Sequence, residues 1–138
     1  MKKIIVFLMC VFATISAVAE VSELPCNGGS NITAKNGTKF CKSDQRMNWW
    51  SAFAWCDSQN LKLADLATMC PNTSQTPAGT AGDCPNLQDV GEGPVWSSLA
   101  NGDWKAIYVS LPSGAVDSAN RTHATSQTYA HYHALCSE

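Results

Sequence analysis

Six cysteines constrain this chain more than any other feature: Cys26, Cys41, Cys56, Cys70, Cys84 and Cys136. A seventh, Cys10, falls within residues 1–19, which read as an address rather than as structure. Lys2 and Lys3 form a positive start, residues 4–15 an apolar run, and Ala17-Val18-Ala19 supplies small residues for cleavage, the pattern of a secretory signal peptide. The run is shorter than the roughly 20 residues a membrane anchor needs, so no stable membrane insertion is expected after cleavage. Lipidation at Cys10 is disfavoured by bulky Met9 before it. An exported chain enters an oxidising compartment, where an even number of cysteines predicts three disulfides. The count leaves the pairing open. No two of the six have CxxC spacing, which argues against zinc, and none is left over as a reactive thiol.

Removing 19 of 138 residues leaves 119, the size of one domain. Two of the nine Lys and Arg residues go with the leader, so seven face eleven Asp and Glu, a net charge of −4. That balance predicts no nucleic-acid partner and no attraction to an anionic membrane surface. Only 14% of the chain is charged, so one modest core reinforced by disulfides is the expected economy.

Local patterning predicts the elements. Asn36-Gly37 is a turn dipeptide suited to closing a small hairpin bridged by Cys26 and Cys41. Trp49, Ala52, Phe53 and Cys56 fall at i, i+3, i+4 and i+7, one face of an amphipathic helix, with Asn48 as N-cap and Asn60 as the stop. Leu61 to Ala64 alternates like a short strand, and Asp65 caps a brief helix ending at Met69. Residues 71–94 lose all periodicity and read as a surface loop clamped in its first half by Cys70 and Cys84. Closing that ring contributes roughly 3 kcal/mol in the chain-entropy model. Residues 95–99 and 105–111 read as strands joined by a turn at Asn101-Gly102, and Pro112-Ser113-Gly114 makes a further turn. Residues 129–136 alternate, with Ala130, Tyr132, Ala134 and Cys136 on one face and His131 and His133 on the other.

Trp49-x-x-Ala52-x-x-x-Cys56, followed after six residues by Leu63-Ala64, resembles the first-helix signature of C-type lectin-like domains. The terminal Tyr132-x-x-Leu135-Cys136 resembles that family's last strand. The stretch Val95-Trp96-Ser97-Ser98 and then Tyr108-Val109-Ser110 is similar to compact bacterial members. Residues 40–136 carry the likeness. It implies an α+β fold with one long and one short helix packed on small antiparallel sheets. It also implies a bond between the helix cysteine and the final one, Cys56–Cys136. With that pairing, Cys26–Cys41 and Cys70–Cys84 complete two short local rings.

The sugar-binding members hold calcium through Glu-Pro-Asn or Gln-Pro-Asp and then Trp-Asn-Asp, and none of these triplets occurs here. In Cys70-Pro71-Asn72 and Cys84-Pro85-Asn86 a cysteine stands where calcium needs an oxygen. The expected module is therefore calcium-independent and without a cofactor. No nucleophile elbow, metal motif or carboxylate pair points to an enzyme. The resemblance implies an exported binding or adhesion module that holds a protein or glycan through loops on a rigid scaffold; a structural subunit of a surface appendage is the alternative. Candidate ligand-binding residues are Trp104 as aromatic anchor, with Asn120, Arg121, His123, His131 and His133. Trp50 and Trp55 also fall off the apolar stripe. Recognition is expected on residues 71–94 and 118–128, with the loops before Trp96 and before the final strand on one side near Trp104. Histidines 123, 131 and 133 are the candidate transition-metal set, against the simpler reading of a wet strand face. Asn31, Asn36, Asn72 and Asn120 begin Asn-x-Ser/Thr sequons, which chance accounts for in so polar a chain.

Overall fold

The Asn36-Gly37 turn folds the chain back so that β1 (Gly29–Thr33) pairs antiparallel with β2 (Lys39–Met47). Gly37 adopts φ +88°, a left-handed backbone that a side chain would penalise. The Cys26–Cys41 disulfide clasps this hairpin. The computed structural model describes residues 23–71, 82–102, 104–120 and 130–138, so the expected leader lies outside it.

Helix α1 (Trp49–Ser58) begins where Asn48 Oδ1 accepts a hydrogen bond from the Ser51 N–H at 2.8 Å. That contact satisfies one of the amides a helix start leaves without a partner. The helix buries Trp49, Ala52 and Cys56, and Phe53 is half-buried beside them. Past its end, Asn60 turns to φ +57°, the stop expected of an asparagine. Strand β3 (Lys62–Leu63) follows, then α2 (Leu66–Met69), capped by Asp65 Oδ1 accepting from the Thr68 N–H at 2.6 Å.

The reading of residues 71–94 as a loop without structure needs correction in its described part. It contains β4 (Gly82–Asp83), a 3-10 turn at Pro85–Leu87, and the first two residues of β5 (Gly93–Asn101). Leu87 is fully buried, and Asn86 is buried with its Nδ2 donating to the Met69 carbonyl at 2.9 Å. Asn86 Oδ1 also accepts from the Asn36 N–H at 2.9 Å, tying the segment to the first hairpin. A single leucine and a single asparagine have no period, so local patterning cannot show that they plug a core. Cys70–Cys84 clamps the segment as expected.

Strands β6 (Lys105–Leu111), β7 (Ala115–Asn120) and β8 (Tyr132–Ser137) complete the structure. Residues 118–120, expected in a loop, are strand: Ser118 lies opposite Ile107 and Asn120 opposite Lys105. A further correction concerns the sheets. The strands form one eight-stranded mixed sheet in the order β1-β2-β8-β5-β6-β7-β4, with β3 on β8, rather than small antiparallel ones. Strand β8 inserts between β2 and β5, antiparallel to the first and parallel to the second. Alternation reveals strands but not their neighbours, so sequence reading leaves this insertion unseen.

Neighbouring residues on the central strands enter two cores. Phe40, Val95, Val109 and Leu135 face one side, with Leu87, Leu66 and Met69 packed over them. Cys41, Trp96, Ala106, Ala134 and Cys136 face the other, beneath Trp49, Ala52 and Cys56 of α1. The Cys56–Cys136 bond links α1 to β8 across 80 residues, as the family likeness implies. Three disulfides point to an oxidising, extracytoplasmic environment. Among the described residues, no helix is long and apolar enough to cross a membrane.

Candidate functional site

Strand direction decides which candidate residues meet. Val95 lies opposite His133 in the parallel β5–β8 pair, so the starts of these two strands share one end of the sheet. The β5–β6 turn, carrying Trp104, lies at the other end, and the pairing of Lys105 with Asn120 brings the end of β7 beside it. Val95 pairs with Val109 and Asn101 with Lys105, so on the regular partner strand the two ends are four steps apart, about 13 Å at roughly 3.3 Å per residue. Trp104 and Asn120 therefore belong to one end, His131 and His133 to the other. The starts of β5 and β8 share one end, but residues 121–129 of the loop before the final strand lie outside the described residues. Trp104 is not near these starts, because the β5 strand carries the chain the length of the sheet before it turns. Arg121 and His123 lie outside the described residues, as does Asn72.

The end holding Trp104 is open. Its side chain is 64% exposed, and with Trp50 on α1 at 54% it makes up the exposed large hydrophobics of the described residues. Lys105 and Asn120 beside it are exposed, and Asn101 is half-buried. Trp55, by contrast, packs half-buried against the α1-side core.

The opposite end is built around a bulge in β2. The register slips between Lys42 and Arg46, and buried Ser43 occupies the slip. Its Oγ accepts from the Ala134 N–H at 2.8 Å and donates to the Gln45 carbonyl at 2.7 Å. Its carbonyl accepts from His133 Nδ1–H at 2.7 Å, which fixes the imidazole tautomer and leaves Nε2 without a proton. A Cβ on Gly93 would lie 3.1 Å from that Nε2, so glycine is what lets β5 pass the ring. Burial holds the His133 pKa below its ordinary value; the Ser43 contact partly offsets this, while the charges of Lys42 and Arg46 add to it. His133 is thus half-buried over the loop-covered core, not on a wet face, while His131 is exposed. Among the described residues no three His, Cys, Asp or Glu side chains gather as a metal set. Asn31 Nδ2 donates to the Leu24 carbonyl at 3.1 Å, and Asn36 Oδ1 accepts from the Thr38 N–H at 3.0 Å, so both sequon asparagines hold local structure.

No family model, curated protein or solved structure matches this chain.

One concavity was not visible in the sequence. A cleft of about 400 Å³ opens where α1, β3, α2, β5 and β8 converge. Phe53 and Leu63 supply its apolar lining, Asp57, Asp65, Glu138 and Lys62 its charges, and Ser98 a hydroxyl. A bulge in β5 helps to form it: Trp96 opposes Tyr108 and Ala100 opposes Ala106, so three residues face Ile107 alone. The displaced backbone is satisfied elsewhere, with Trp49 Nε1–H donating to the Ser97 carbonyl at 2.8 Å and Ser98 N–H to the Ala64 carbonyl at 2.9 Å. Such bulges commonly re-aim a side chain next to a site. The sole sequence trace of the cleft is Phe53 and Asp57 at i and i+4 on α1.

Proposed function

We propose that this chain is an exported binding module of C-type lectin-like fold, holding a protein or glycan without calcium at the Trp104 end of its sheet. The exposure of Trp104 carries the reading. A tryptophan 64% open to solvent at a hairpin tip gives up favourable burial, and such residues commonly become interface anchors. Lys105 and Asn120 beside it offer hydrogen-bond donors and an acceptor around a flat apolar face. The family likeness is supported by the start of α1 at Trp49 and by the Cys56–Cys136 bond to the final strand. Binding fits an end that, among the described residues, presents one exposed aromatic ring beside the polar side chains of Lys105 and Asn120.

The test is Trp104→Ala, assayed on glycan and surface-protein arrays against the parent protein. A hot-spot tryptophan is worth about 2 kcal/mol, so affinity should fall roughly thirtyfold. The unfolding temperature should not move, since the ring is outside the core. Intact binding with lowered stability would overturn the proposal. Calcium independence has its own check: millimolar calcium or a chelator should leave the unfolding temperature unchanged, because a ligand of the native state must raise it.

A further inference from the structure

We infer that the cleft between α1, β3 and the β5 bulge is a second binding site, built for an organic cation: an amidinium, guanidinium or ammonium head on an apolar stem. Its volume of about 400 Å³ lies within the range of small-ligand pockets. On an open surface, Asp57, Asp65 and Glu138 would simply be solvated. Here they border a concavity whose apolar lining is Phe53 and buried Leu63. The Phe53 ring is held from behind by Trp49, edge-on at 4.8 Å and 87°, so its orientation is set before any ligand arrives. A cation above an aromatic ring gains from the ring quadrupole, and the apolar stem gains from the same surface.

Charge decides the sign of the ligand. Three carboxylates face the cleft against Lys62, so an anion is repelled and a cation attracted. Asp65 Oδ1 already accepts from the Thr68 N–H to cap α2, which pins that carboxylate at the rim. Ser98, turned inward by the bulge, adds a hydroxyl that can accept from an N–H donor. Trp104 does not line this cleft, so the inference stands apart from the function proposed above.

The experiment is a titration of the whole protein followed by backbone amide NMR, with benzamidine as probe and benzamide as its neutral isostere. Benzamidine should shift Phe53, Asp57, Lys62 and Ser98 saturably, and benzamide should bind at least about tenfold more weakly. Asp57→Asn, an exposed substitution that leaves the core alone, should weaken benzamidine roughly threefold, the scale of a solvated ion pair. Trp104→Ala should change nothing, which separates this site from the other. Acetyl-arginine amide distinguishes the source: tighter binding than benzamidine names a peptide side chain, and weaker binding names a free small molecule. Equal affinity for benzamide, indifference to Asp57→Asn, or shifts confined to other surfaces would each overturn the inference.

Discussion

The two faces of the sheet are closed by different means. One lies under α1, a helix with a regular apolar stripe, fastened by a disulfide that spans 80 residues. The other lies under α2 and the irregular 82–92 stretch, fastened by a disulfide that spans 14. A periodic element can cover a sheet through many small contacts along its stripe. An aperiodic one must rely on a few deep anchors, here Leu87 and Asn86, and on a covalent clamp close by. The adjacent residues Tyr132 and His133 show the contrast at the smallest scale, since one faces the α1 side and the other the loop side.

The largest expected difference is in the covalent links. Replacing Cys56 and Cys136 together by alanine should cost about 4.5 kcal/mol in the chain-entropy model, and replacing Cys70 and Cys84 about 3 kcal/mol. Denaturant unfolding under non-reducing conditions measures both, and equal losses would show that ring size does not separate the faces. Next, Leu87→Ala should cost at least about 2 kcal/mol, because a fully buried leucine leaves a cavity under a cover with few other anchors. A loss near zero would mean that this cover contributes little. On the helix side, Asn48→Ala removes the cap of α1 and should cost about 1 kcal/mol. Thermal unfolding of that variant tests whether α1 depends on its cap or is held by Cys56 regardless.

The smallest effects are in pH, and they have opposite signs on the two faces. The folded pKa of His133 is depressed, chiefly by burial, so the folded protein resists the proton that the unfolded chain accepts. Its contribution to stability is present above the unfolded value of about 6.5 and is lost as pH falls through the folded one. Of the charges facing it, Lys42 and Arg46 lower it further and Asp44 raises it. His133→Gln should flatten the acid limb of a stability–pH curve. Tyr132 is pushed up to about 12 by burial first and then by Tyr108, with which its hydroxyl shares a hydrogen bond. Its contribution is present below the unfolded value of about 10 and is lost as pH rises toward 12. Tyr132→Phe should flatten the alkaline limb instead. If both variants flatten the same limb, the two faces are not electrostatically distinct.

Much of the α1 face was legible before the structure. Trp49, Ala52 and Cys56 announce their stripe, and Asn48 and Asp65 announce their caps, because a helix repeats its environment every few residues. The loop face was not. Leu87 and Asn86 lie in a segment of proline, glycine and asparagine whose composition says only that the chain turns. The candidate residues fared in the same divided way. Trp104 and Asn120 share one end, through the pairing of Lys105 with Asn120, while His133 belongs to the other, about 13 Å of strand away.

The sequence by itself determined the hairpin at Asn36-Gly37, both helix starts, the strand alternations, and the even cysteine count that predicts three bonds. Each is a local property, written in residues a few positions apart. Only the tertiary structure decided that β8 inserts between β2 and β5, that Ser43 and Ser97–Leu99 form bulges, and that Phe53, Asp57, Lys62 and Ser98 line one cleft. The physical reason is that a strand's alternation fixes which way its side chains face but carries no information about which strand lies beside it. Neighbours are chosen by the packing of the whole sheet, and a site formed by five elements exists only once that choice is made.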